Sequence, residues 1–114
     1  MPPLPPTRVP LGRADLAPGT MRGHALGPER YVLLVNLDGR YFAIDDWCNH
    51  AGCLLSNGRL VGVTVECPCH GARFGVADGA LKTSPRICDD QDAYAVVVED
   101  GMVFAELPAK RESA

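Results

Sequence analysis

Two short stretches of this 114-residue chain concentrate groups that bind metals. The first reads Cys48-Asn49-His50-Ala51-Gly52-Cys53 and the second Cys67-Pro68-Cys69-His70-Gly71-Ala72, with sixteen residues between His50 and Cys67. One Cys-x-His is weak evidence of a site. Two such stretches, each following a strand-like segment and each holding a glycine soon after its histidine, can meet at one end of a β domain and present four ligands. Zinc accepts two cysteines and two histidines in tetrahedral geometry, but zinc fingers usually pair cysteine with cysteine and histidine with histidine. Here each stretch supplies one of each, at Cys-x-His and Cys-x-x-His spacing. That layout suits a binuclear centre in which one iron takes both sulfurs and the other both nitrogens.

The elements that must position these stretches read as short strands separated by turn signals, with no sustained 3.6-residue period. Arg8–Leu11, Thr20–Leu26 and Tyr31–Leu37 have strand character, and Asp38-Gly39 makes a two-residue turn into Arg40–Ile44. Asp45–Leu55 and Cys67–Ala72 are irregular, and Leu60–Glu66 between them is β-rich after an Asn57-Gly58 turn. Arg73–Val76 and Ala80–Lys82 read as a tight hairpin, Ser84–Asp92 as a loop, and Ala93–Glu99 with Met102–Leu107 as a hairpin about Asp100-Gly101. The expectation is an all-β domain of low helix content, an antiparallel sandwich or small barrel. Twelve glycines and ten prolines fit a loop-heavy β domain better than a helical bundle.

Composition narrows the function. The net charge is −3 with both signs mixed, which argues against a general binder of nucleic acid or anionic membrane. No run approaches 18 apolar residues, so no transmembrane helix is expected. Residues 1–6 read as a flexible, proline-rich tail and 109–114 as a disordered one, leaving one domain over 7–108 with the metal-binding stretches at about 46–85. With no leader in sight the expected compartment is the cytoplasm, where a cysteine pattern points to metal binding or catalysis before disulfides.

The pattern Cys-x-His, sixteen residues, Cys-x-x-His resembles the Rieske motif, in the form Cys-Asn-His-Ala-Gly-Cys and Cys-Pro-Cys-His-Gly. Tyr41-Phe42-Ala43-Ile44-Asp45-Asp46 and the Ala72-Arg73-Phe74 continuation of the second stretch also resemble family segments. The chain is similar to soluble Rieske ferredoxins from near Thr7 to near Leu107. The resemblance implies a Rieske fold of three antiparallel sheets, with one [2Fe-2S] cluster held by two loops at one tip. It implies Cys48 and Cys67 on one iron and His50 and His70 on the other. Two ferric ions, two sulfides and four thiolates sum to −2, whereas two thiolates with two neutral imidazoles sum to zero. A neutral centre accepts an electron more easily, which places Rieske clusters at about −150 to +300 mV against about −400 mV for plant-type ferredoxins.

By the same resemblance Cys53 and Cys69 match the positions of a disulfide that joins the two loops in high-potential Rieske proteins. The alternative is two reduced cysteines packed by the cluster. Many oxygenase ferredoxins lack the bond, and burial beside the cluster is expected to protect it from cytosolic reductants. The sequence departs from the high-potential pattern at Ala72 and Phe74, where that pattern has a serine and a tyrosine whose hydroxyls favour the reduced cluster. A low to intermediate potential follows. Pro85 matches a third, covering loop.

Other residues carry plainer expectations. Gly52 and Gly71 permit turn dihedrals or bring N–H groups near the cluster, and Pro68 stiffens its loop. Trp47 packs in the core or shields the cluster rather than relaying electrons, Cys88 is a free, loop-packed thiol and not a ligand, and His24 is structural or at the surface. Asp89, Asp90 and Asp92 form a solvated loop or an acidic docking patch. Ala51, Leu54 and Leu55 give the tip an apolar rim. After cluster ligation only His24 remains, so the chain is not the catalytic subunit of a Rieske oxygenase, which needs a mononuclear iron. The implied role is a one-electron carrier, not an enzyme, between a flavin-dependent reductase and a terminal oxygenase or other redox enzyme. The alternatives are the Rieske-like small subunit of a larger redox enzyme, such as assimilatory nitrite reductase, and a structural zinc module.

Overall fold

The computed structural model describes residues 7–26, 30–48, 52–69, 71–83 and 89–107. Nine strands follow in chain order among them: β1 Thr7–Arg13, β2 Thr20–Ala25, β3 Tyr31–Leu37, β4 Arg40–Asp45, β5 Arg59–Val61, β6 Thr64–Glu66, β7 Arg73–Gly75, β8 Ala93–Glu99 and β9 Met102–Leu107. The helical content among these residues is one 3₁₀ turn, Leu55–Asn57. The expected Asp-Gly turns close the β3–β4 and β8–β9 hairpins. Asp38 and Gly39 have φ of 52° and 90°, and Asp100 and Gly101 have 51° and 77°, so both turns use two consecutive left-handed residues that match the strand twist.

Every ladder is antiparallel, and the strands form two sheets where three were expected. One has six strands in the order β1-β9-β8-β4-β3-β2, the other three in the order β5-β6-β7. Two of the anticipated sheets are joined by a short β4–β8 ladder, Ala43 opposite Tyr94 and Ile44 opposite Ala93. Leu60–Glu66 is a hairpin, not a single strand. Gly62 takes φ 60° and, with Val63, turns β5 back into β6. Ala80–Lys82 contributes one bridge, Leu81 opposite Phe74.

The large sheet curls until its edge strands approach. Arg22 of β2 reaches across the gap, its Nη2 donating to the carbonyls of Leu11 (3.4 Å) and Arg13 (3.5 Å) of β1. There β1 carries a bulge. Its register against β9 slips one residue between Pro10 and Arg13, at Gly12 with φ 93°. Pro10 is tolerated because β1 is an edge strand.

Burial explains the uninterrupted apolar run of β3. Val32 and Leu34 face a core inside the curled sheet with Leu11, Ala43, Val103 and Ala105. Leu33 and Val35 face the other way, into a second core that includes Ile44, Leu55, Val65, Cys67, Ala72, Phe74 and Cys48. A strand covered on both sides loses the polar alternation of a one-sided sheet. The second core binds the three-stranded sheet to the large one, and both metal-motif cysteines lie in it.

Candidate metal centre

The two cysteine stretches fold into loops closed by the same hydrogen bonds. In the first, Cys48 N–H donates to the Cys53 carbonyl (2.7 Å) and Gly52 N–H to the Cys48 carbonyl (3.0 Å). In the second, Cys67 N–H donates to the Ala72 carbonyl (2.7 Å) and Gly71 N–H to the Cys67 carbonyl (3.1 Å). Each loop therefore starts on a cysteine, turns back four and five residues later, and needs a left-handed residue at the fourth. Gly52 and Gly71 supply it, with φ of 67° and 75°. Their amides are thus spent on closing the turns. The flanks match too: Trp47 bridges Leu54 and Glu66 pairs with Arg73, one residue before and six after each cysteine.

Among the described residues the first loop is flanked by an isolated bridge where the second has a ladder, and it is anchored by side chains. Asp46, 1% exposed, accepts from Ser56 N–H (2.6 Å) and from the Ser56 hydroxyl (2.7 Å), while Leu55 N–H donates to the Asp46 carbonyl (2.7 Å). A Cβ at Gly23 would lie 2.6 Å from the Asp46 carboxylate, so β2 must pass this anchor as glycine. The second loop is the end of the β6–β7 hairpin. Glu66 holds Arg59 and Arg73 on the neighbouring strands, each at 3.0 Å, and these guanidiniums keep its carboxyl below the usual range.

Cys48 and Cys67 are 0% and 1% exposed and stay outside any disulfide. Cys53 and Cys69 are bonded across the loops, with Cα atoms 6.4 Å apart. The expected burial of this pair is not seen. Cys53 is half-buried and Cys69 is exposed. Of the readings of Trp47, core packing is not seen. The indole is 49% exposed and stacks on Tyr31 with ring centroids 5.7 Å apart, lying beside Gly52 and not in the core. Leu55 is fully buried under the first loop and forms no rim; Leu54 is half-buried at the surface. His50, His70, Ala51, Pro85 and Cys88 lie outside the described residues, as do the tails 1–6 and 109–114.

His24 is half-buried on β2. It accepts from Arg22 Nε (3.1 Å), and burial, then the adjacent guanidinium, hold its imidazole below the ordinary value against an opposing pull from Asp46. Asp89, Asp90 and Asp92 are exposed, and Asp90 also accepts from Leu81 N–H (2.8 Å). Sequence reasoning missed Asp46, Ser56 and Gln91. Gln91, 5% exposed, donates its side-chain amide to the carbonyls of Asp45 (3.0 Å) and Trp47 (2.8 Å). A polar residue inside a loop gives no local sign that it will be buried.

A thiolate buried in an apolar core is costly unless a cation shares its charge. Two cysteines at equivalent points of two matched loops, in one core, fit the sulfur side of an iron–sulfur cluster. Among the described residues no helix is long and apolar enough to cross a membrane.

Comparison with known proteins agrees with this geometry. The Rieske [2Fe-2S] domain family matches residues 9–105. The ferredoxin component of biphenyl 2,3-dioxygenase from Rhodococcus jostii (strain RHA1) is 40% identical over 93 residues, covering 82% of this chain and 85% of that protein. The ferredoxin of Sphingomonas yanoikuyae B1 superposes with a TM-score of 0.79 at 30% identity, over 90% of this chain and 100% of that one. A chain from a complex of reduced oxygenase and oxidized ferredoxin in carbazole 1,9a-dioxygenase gives 0.80 at 30% identity, over 92% and 97%.

The fold and the paired loops are those of an iron–sulfur electron carrier, and the chain belongs to the Rieske [2Fe-2S] domain family. Within it the chain is a Rieske ferredoxin, homologous to dioxygenase ferredoxin components. It carries one Rieske-type cluster and is an electron carrier, not a catalyst.

Proposed function

We propose that Cys48 and Cys67 bind one iron of the cluster and His50 and His70 the other, and that the chain carries electrons from a flavin-dependent reductase to the terminal oxygenase of an aromatic-ring dioxygenase. The observation that carries the ligand assignment is the pair of loops with identical closing hydrogen bonds, each beginning on a buried cysteine. Similarity to the biphenyl dioxygenase ferredoxin component supports the free-carrier role over a permanent subunit of a larger enzyme. The role implies a cytoplasmic protein with the domain spanning 7–108.

When bound, such a cluster takes up and releases one electron at a time. The residues of this chain do the rest. Leu55, Val65 and Phe74 exclude water from the sulfur side. The Cys53–Cys69 bond ties the loops on the outer side. Trp47, Leu54 and exposed Pro68 leave an apolar tip for close approach of a partner.

The test is the rate at which the reduced chain is oxidised by a terminal aromatic-ring oxygenase, biphenyl 2,3-dioxygenase being the first to try. Leu54→Glu should slow this transfer roughly tenfold by placing a charge in the contact while leaving the visible spectrum intact. Co-purification with a large enzyme subunit in equal amounts, with no transfer to any oxygenase, would overturn the carrier reading.

A further inference from the structure

The segment that enters β8 is fastened both to the residues that lead into the Cys48 loop and to the turn that follows β7 of the Cys67 hairpin, and Gln91 is the point where the fastenings meet. Its backbone N–H donates to the Gly79 carbonyl (2.7 Å), in the turn that follows β7. Its side-chain amide donates to Asp45 and Trp47, the last residue of β4 and the residue before Cys48. Neighbours reinforce both sides. Asp45 N–H donates to the Asp92 carbonyl (2.8 Å), and Leu81 N–H donates to the Asp90 carboxylate (2.8 Å). The fit against the turn is close: a Cβ on Gly79, which has φ 72°, would stand 2.1 Å from the Gln91 carbonyl oxygen.

The chemistry suits a primary amide. Two carbonyls two residues apart need two donors from one small, buried group. A lysine or arginine would supply them only by burying a charge. The second of these bonds also acts on the metal loop itself. The Trp47 carbonyl and the Cys48 N–H belong to one peptide unit. A donor on the oxygen polarises that unit and strengthens the bond that its N–H makes to Cys53, which closes the loop. The second loop has the β6–β7 ladder for this purpose. Among the described residues the first has a single bridge, Trp47 to Leu54.

We propose that Gln91 is a positioning residue for the cluster, its amide setting the Cys48 loop against the Cys67 hairpin through the Trp47–Cys48 peptide. This rests on the assignment of Cys48 and Cys67 as ligands. Gln91 itself acts through the Cys48 loop and not on the cluster.

The test uses the full-length, cluster-loaded chain with Gln91→Met, which keeps the length and removes the donors. Cluster loss to an iron chelator, the EPR spectrum of the dithionite-reduced protein, the reduction potential and the thermal midpoint are compared with wild type. The expected result is cluster loss faster by roughly tenfold or more, with an altered EPR line shape. A lower thermal midpoint with unchanged spectrum, potential and release rate would make Gln91 an ordinary fold residue and overturn the proposal. If Gln91→Met folds with wild-type circular dichroism yet takes up no cluster, the proposal stands. If it does not fold, the same measurements on Gln91→Glu, which keeps shape and polarity, decide in the same way, and failure of both to fold overturns it. Failure of the underlying assignment reads differently: Cys48→Ser would then retain an unaltered cluster spectrum.

Discussion

Ala72 and Phe74 are the residues at which this chain departs most clearly from high-potential Rieske sequences. Both are buried in the core that holds Cys48 and Cys67, at 1% and 0% exposure, and neither carries a hydroxyl. A hydrogen bond to cluster or cysteine sulfur stabilises the more negative, reduced state. Ala72→Ser plus Phe74→Tyr should therefore raise the reduction potential, on the order of 100 mV if each hydroxyl bonds sulfur. Protein-film voltammetry measures this, and an unchanged or lower potential would sink the explanation. At this scale the family was legible because the parts of the Rieske motif are contiguous and chemically distinctive. Asp46 and Gln91 were not, because their meaning depends on partners far away in sequence. Gln91 meets carbonyls 44 and 46 residues distant. The core reading of Trp47 failed for a related reason: an indole suits a core and a surface contact equally, and only the packing decides.

Among the elements, β3, β4, β8 and β9 could be read closely because Asp-Gly turns mark their joints with a conformational demand few residues meet. The β5–β6 hairpin was hidden because its turn, Gly62-Val63, sits in an apolar run with no polar punctuation. Edge closure was hidden as well, since the side-chain hydrogen bonds across it that the described residues show come from one long side chain, Arg22. This closure carries a pH dependence. His24 accepts from Arg22 Nε and is held below its ordinary value first by burial and then by that guanidinium. A base with a lowered folded value contributes stability above its unfolded value of about 6.5 and loses it as pH falls through the folded one. Acidification below about pH 6.5 should weaken the β1–β2 contact. His24→Gln keeps an acceptor without a titrating ring, so thermal midpoints of this variant should fall less than wild type between pH 7.5 and 5.5. Parallel curves would contradict the assignment.

The whole molecule is organised by two cores that share β3, one inside the curled sheet and one joining it to the loop-bearing sheet. The all-β architecture followed from strand-length segments and turns, whereas the number of sheets turned on a two-pair ladder between β4 and β8 that no local pattern announces. In the proposed assignment, cluster and disulfide both clamp the second core. The Cys53–Cys69 bond spans 16 residues, which corresponds to about 3 kcal/mol of loop-closure stabilisation. The proposed ligands close nearly the same loop. Replacing both cysteines with alanine should cost most of that amount in the cluster-free protein and little in the loaded one, as read from urea midpoints. Equal losses in both forms would mean that the two clamps act independently. The central claim, two cysteines on one iron and two histidines on the other, is tested most directly by EPR-detected nitrogen couplings in the dithionite-reduced protein labelled with ¹⁵N-histidine. Two histidine couplings are expected, with loss of the Rieske signal in His50→Cys and in His70→Cys. A reduced cluster with no histidine coupling would contradict the account.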